Sequence, residues 1–292
     1  MYNTCIFFKI LYSRFSHLIQ AYQNGRVSFK DVVFFQLEEY YGIDRNDPDS
    51  FAYKLYEQFF KSVDAKPENV YFLNGKTSDT KEECQLFEKA IAIHGGIRFA
   101  CVEVDSEASI GGNAPGSSMN SDTRLKTLTS LSMHDRCHTR NGEQDVESEE
   151  LSTCSLGLTR VLTMGMGTIM RCHEVYALFL GSHSARSLSH VVQGCISNMF
   201  PASSLQLHPS SCVLCDRYSM CTLRYTDVAY FSGIRDNYQL VYNDEVTDYR
   251  SFVLPPYYQN VVEVEKRDVF IERQINYNNT RCRSPAPEEI DE

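Results

Sequence analysis

The sequence has no surplus of basic residues. Its 28 Lys and Arg stand against 38 Asp and Glu in 292 residues, a formal net charge of −10. That balance excludes a broad nucleic-acid surface, which needs clustered cations. It leaves room for a local positive pocket, because an acidic protein can still focus positive potential in one cleft. No run reaches the roughly 18 apolar residues of a membrane span. The N-terminal stretch MYNTCIFFKILYSRF is apolar, but it carries Lys9 and Arg14 and lacks a small-residue cleavage site, so it reads as neither leader nor span. The 11 cysteines form no regular framework, and their number is odd. Buried thiols in a reducing, cytoplasmic compartment are the reading that fits. No internal repeat is present. Cys212 and Cys215 form a lone CxxC with no second pair, which is weak grounds for zinc. On a strand their side chains point to opposite faces. Asn278-Asn279-Thr280 matches a glycosylation sequon, which has no meaning in the cytoplasm.

A hydrophobic fraction of 42% supplies a packed core. Apolar residues at Ile10, Leu11, Phe15, Leu18 and Ile19 predict a helix over about 9–24, stopped by Asn24-Gly25. DVVFFQL predicts a buried strand, SFAYKLYEQFFKSV a helix, NVYFLN a strand, KEECQLFEKAIAIHGG a helix closed by two glycines, and IRFACVEV a strand. After a polar, acidic stretch at about 133–157, read as a surface loop, LTRVLTMGMGTIM resumes the pattern. EVYALFLG (strand), SARSLSHVVQGCIS (helix) and SCVLCD (strand) follow. This alternation predicts an α/β fold with a parallel sheet covered on both faces. Ligands then sit beyond the carboxyl ends of the strands, at the loops after Leu37, Val104 and Leu180. Residues 1–231 read as one domain and 232–292 as a partly disordered extension, tyrosine-rich at first and acidic with prolines at its end.

The pieces LEEYYGIDRNDPDSF, FLNGKTSDTKEECQLFEKAI, NAPGSS, TRLKTLT, LTMGMGTIM, LFLGSHSA and SLQLHP occur in one order from about Phe8 to Phe231. In that order and spacing the chain resembles the glucosamine-6-phosphate deaminase (isomerase) family. The resemblance implies a Rossmann-like fold and an oligomer, as homo-oligomer or with a paralogue. It implies conversion of glucosamine 6-phosphate and water to fructose 6-phosphate and ammonia, without metal or organic cofactor. That chemistry needs a carboxylate to move a proton between sugar carbons, and a carboxylate-held His to open the ring. It also needs hydroxyls, cations and loop N–H groups to hold the phosphate.

Against the family pattern the site is degenerate. Glu38 stands where the family places its Asp base, one methylene longer. Glu107, Ser109 and Ala114 stand where the ring-opening loop has Asp, His and Glu, and a serine cannot titrate near neutral pH. Val102, Glu103 and Asp105 replace loop glycines. Phe8, Lys9, Ile10 and Leu11 align with the phosphate turn, without its capping hydroxyls, and Ser184 aligns with the phosphate Lys. The chain begins later than the family pattern, so the first strand and helix, and the strand entering that turn, are expected to be missing. That absence would leave a gap or an open edge in the sheet. His134 and His138 are surface residues in this reading, and Arg136 is too poorly aligned to be assigned as a lid residue. GMGT reads as a turn after a strand.

What remains is a second set, Ser117, Ser118, Arg124 and Lys126. In bacterial members of the family these are the counterparts of a regulatory phosphate site. Three readings follow. The first is a family member that has lost catalysis. The second is a regulatory subunit binding glucosamine 6-phosphate or N-acetylglucosamine 6-phosphate. The third is an active deaminase with a rearranged site, Glu38 as base and Glu107 as ring-opening acid. None involves nucleic acid or membrane.

Overall fold

A computed structural model of the chain describes residues 5–9, 15–129, 158–230, 233 and 273–274. Along the chain run β1 (Cys5–Lys9), α1 (Phe15–Gln23), β2 (Val33–Gln36), β3 (Glu38–Tyr40), α2 (Phe51–Gln58), β4 (Val70–Tyr71), α3 (Thr80–Ile93) and β5 (Phe99–Glu103). There follow β6 (Arg124–Thr127), β7 (Arg160–Thr163), α4 (Met166–Met170), β8 (Glu174–Phe179), α5 (Ala185–Gln193), β9 (Ser211–Cys215) and β10 (Arg273–Gln274). The main sheet has seven strands in the order β10-β9-β8-β5-β1-β2-β4. Its ladders are parallel except that β10 runs antiparallel to β9. Among the described residues no helix is long and apolar enough to cross a membrane.

Strand sequences explain why both faces are covered. Along β2, Val33 and Phe35 enter one core while Phe34 enters the other. Along β5, Ala100 and Val102 face the first core and Cys101 the second. Successive side chains point to opposite faces, so a strand buried on both sides must be apolar throughout. The second core is rich in aromatics: Phe59 stacks on Phe15 at 4.9 Å and meets Phe29 edge-on at 5.2 Å.

Three expectations change. The strand expected to be missing at the phosphate-turn position is present: β1 fills the interior of the sheet between β2 and β5. CIFFK is a compact apolar, aromatic run suited to a central strand; the helix expected from about residue 9 overlaps it only at Lys9. The helix itself begins at Phe15; Ile10 and Leu11 lie outside the described residues. Phe8 and Lys9 therefore belong to a strand rather than to a phosphate turn.

The third change is a second sheet, three antiparallel strands in the order β3-β7-β6. The strand in LTRVLT belongs here and not to the parallel sheet. Its partners EEY and RLKT are short and polar and carry no strand signal of their own. The acidic stretch at 133–157, with His134, Arg136 and His138, lies outside the described residues. So does most of the C-terminal extension, although Arg273–Gln274 within it pair with β9.

Candidate functional site

The strand order reverses at β1, with β2 and β4 on one side and β5, β8 and β9 on the other. Such a switch point opens a crevice at the carboxyl ends of the strands. The loops after β2, β5 and β8 border it, as the sequence suggested.

At the first loop, Leu37 accepts a hydrogen bond from the Met164 N–H (2.8 Å), and the chain turns directly into β3. Glu38 and Glu39 are both buried, 2% and 1% exposed, and alternation sends them to opposite sides. The Glu39 carboxylate accepts from Gln36 Nε2 (3.1 Å), Tyr40 N (2.9 Å), Ser50 Oγ (2.8 Å), Phe51 N (3.1 Å) and Ala52 N (2.9 Å). It is the fixed anion at the start of α2, where free N–H groups and the helix dipole favour one. Glu39 is thus committed to structure, whereas the Glu38 side chain faces the other side of β3.

At the second loop, β5 leads into residues 104–114. Asp105 Oδ1 accepts from Glu107 N (3.0 Å) and Ser109 N (2.8 Å), and Val104 bridges Ile110. Ala108 adopts φ 58°, a left-handed conformation that favours glycine. The Ser109 side chain is 2% exposed, and its hydroxyl has no hydrogen-bond partner among the described residues. Asn113 donates from Nδ2 to Ile110 O (2.9 Å) and Met164 O (2.8 Å), which pins the loop to the end of β7. Ala114 is 2% exposed. Gly112 is required here: a Cβ on it would lie 2.6 Å from Val161 Cγ2. Glu107 is half-buried, so the loop brings together one carboxylate at its tip and a buried, non-titrating serine.

At the third loop, Ser184 is 1% exposed and its hydroxyl donates to Leu180 O (2.9 Å), while Gly181 N donates to Asp216 Oδ2 (2.9 Å). Ser184 offers no cation and makes no side-chain cap on α5.

The second set divides. Ser117 is buried and donates to Ala114 O (2.6 Å); Ser118 is exposed, and its hydroxyl accepts from Asn120 N (3.3 Å). Both hydroxyls serve the turn. Arg124 and Lys126 lie two residues apart on β6, hence on one face. No hydrogen bond joins them to the serines. Among the described residues Lys126 has no ion pair, and Arg124 donates to Asp122 O alone (3.4 Å). Burial lowers the pKa of each cation, and Arg124 lowers that of Lys126 further. Glu38 and Arg124 both pair with Thr163, so they occupy one cross-strand row roughly 10 Å long.

Beside β6 lies a hub absent from the sequence reading. Glu88 of α3 accepts from Thr123 N (2.8 Å), Thr123 Oγ1 (2.6 Å), Thr168 Oγ1 (2.6 Å) and Arg171 Nη2 (3.4 Å). Arg171 also pairs with Asp122 (2.6 Å). The partners come from distant stretches, so no local pattern could have announced them. Gly165 of GMGT packs on the Ser121 and Asp122 carbonyls, and the first N–H of α4 donates to Ser121 Oγ (3.2 Å). That helix start is capped by a serine, as a turn after a strand requires. Cys212 and Cys215 are buried on β9, and among the described residues no cluster of three or more His, Cys, Asp or Glu is placed to hold a metal.

Fold and site together define a Rossmann-like α/β protein whose candidate site lies at the topological switch point. No family model matches the chain. It is 36% identical over 220 residues to the glucosamine-6-phosphate deaminase of Aliivibrio salmonicida, covering 75% of this chain and 79% of that one. It is 35% identical over 220 residues to that of Borreliella burgdorferi (strain ZS7), covering 75% and 78%. A solved monomeric glucosamine-6-phosphate deaminase superposes with a TM-score of 0.68 at 27% identity, over 76% of this chain and 88% of that one. The 6-phosphogluconolactonase of Trypanosoma brucei shares the fold alone, with a TM-score of 0.52 at 13% identity over 76% of this chain and 87% of that one. The chain belongs to the glucosamine-6-phosphate deaminase family.

Proposed function

We propose that this chain is a catalytically impaired member of its family, a cytoplasmic protein of amino-sugar metabolism. The observation that carries the proposal is the loop after β5. The ring-opening position is Ser109, buried and unable to titrate, and Ala114 brings a methyl group where a supporting carboxylate is needed. Ser184 adds no phosphate-binding cation. Glu38 and Glu107 remain as carboxylates in degenerate positions, and a serine stands at the position of the family's imidazole. Incubation of the pure protein with glucosamine 6-phosphate should release no ammonia above background. Turnover of order 10 per second, an ordinary enzyme rate, would overturn the proposal. If such turnover disappeared in Glu38→Gln, it would assign Glu38 as the base of a rearranged but active site.

A second reading rests on Arg124 and Lys126. Two partly buried cations on one strand, with no acid paired to them among the described residues, favour an anion between or beside them. The protein then acts as a sugar-phosphate-binding regulatory subunit, in a homo-oligomer or with an active paralogue. Calorimetry with N-acetylglucosamine 6-phosphate tests this, and silence at about 10 mM ligand would overturn it. In both readings residues 1–231 act as the family domain and 232–292 as an extension to it.

A further inference from the structure

The parallel part of the main sheet is bounded by two strands of unlike character, β4 and β9. β4 is two residues long and follows directly on the turn Pro67–Asn69. A short strand beside a proline is a poor template for further pairing. β9 is five residues long and pairs with β8 without a bulge, from Val175 with Ser211 to Phe179 with Cys215. It reads Ser-Cys-Val-Leu-Cys, with no charge, no proline and no glycine. Ser211, Cys212, Val213 and Cys215 are buried. An uncharged, unbulged strand of this kind is prone to extend when its edge is open. β10 covers that edge over Val213 and Cys212 and becomes the outermost strand itself. The new edge is two residues long and contains Arg273. Shortness and charge are the features that make an edge resist further pairing. An edge fit for pairing is thus exchanged for one that is not.

We infer that β10 is a guard strand, which keeps the edge of β9 from pairing with the β9 of a second copy of this chain. That pairing would be antiparallel and two-fold symmetric, with the same five residues on both sides. Main-chain hydrogen bonds would supply its affinity. The guard contributes two residues where a second β9 would contribute five, so its own hold is the slighter one. It prevails because it belongs to the chain it protects. A tethered strand meets its edge at an effective concentration of up to about 1 mM, well above that of free copies in dilute solution. Loss of β10 therefore turns a closed sheet into a self-pairing one.

The full chain carrying Arg273→Pro and Gln274→Pro together tests the inference, since proline offers no N–H to the ladder. At about 100 μM, light scattering should give this variant twice the wild-type mass, whatever that mass is. A synthetic peptide of residues 268–279 should return it to the wild-type mass. An unchanged mass, or a doubled mass that the peptide leaves in place, overturns the inference. A second variant locks the strand instead of breaking it. Gln274 stands opposite Cys212, and Cα atoms of an antiparallel pair lie about 4.5–5.5 Å apart, within reach of a disulfide. Oxidised Gln274→Cys should carry a disulfide to Cys212 within one chain, found by peptide mapping, and should keep the wild-type mass. A disulfide between chains, or none to Cys212, overturns the guard.

Discussion

At the scale of the residue, one acidic side chain of β3 is given over to structure. Glu39 holds five hydrogen bonds at the start of α2 and is inseparable from the fold. Glu39→Ala should cost about 3 kcal/mol, since it strands Ser50, Gln36 and two helix N–H groups in a buried place. Urea titration checks this, and a loss under about 1 kcal/mol would contradict the hub. Restoring the family's side chains should not restore chemistry. Ser109 and Ala114 are each 2% exposed, so Ser109→His with Ala114→Glu overfills a closed space. The loop is also held shut by Asp105, which binds the N–H groups of Glu107 and Ser109. The double variant should release no ammonia from glucosamine 6-phosphate, and recovered turnover would exclude this account. The replacements at Ser109 and Ala114 were legible in the sequence because they stand at marked positions. The part of Asp105 was not, because turn closure depends on backbone placement rather than on residue type.

At the scale of the element, the junction of β7 with α4 leaves no room for a side chain at Gly165. A Cβ on Gly165 would lie 2.0 Å from Ser121 O and 2.3 Å from Asp122 O. Gly165→Ala should therefore destabilise the protein by about 1–3 kcal/mol, measured as a fall in Tm, because backbone rather than a flexible side chain must move. An unchanged Tm would mean that the 120–122 turn yields freely. The long helices and apolar strands were readable from periodicity, as was the glycine pair after α3, with Gly95 and Gly96 at φ 81° and 91°. The three-stranded sheet was not. EEY and RLKT become strands because β7 pairs with both, and no property of either segment alone encodes that pairing.

At the scale of the whole molecule, His208 links stability to pH. It is fully buried; its Nδ1 accepts from Ser210 N (3.0 Å), which leaves Nε2–H to donate to Cys172 O (2.8 Å). Both bonds suit the neutral ring, and burial lowers its pKa from the ordinary 6.5. The unfolded chain therefore takes up this proton first. The contribution is fully present above pH 6.5 and is lost as pH falls from there through the lowered folded-state value. Tm should drop on acidification across that window, and His208→Gln should flatten that part of the profile. A profile identical in the variant would show that other groups set the acid limit.

The sheet's order has a consequence for how the chain is made. Of the described strands, β1 is made before the others and stands in the middle, and β10, made after the others, closes an edge. At about 5–20 residues per second, Arg273 emerges several seconds after Cys215. During that interval the outer backbone of β9 is a bare ladder open to any extended peptide nearby. Translation speed between Cys215 and Arg273 therefore sets how long that edge of β9 waits for β10.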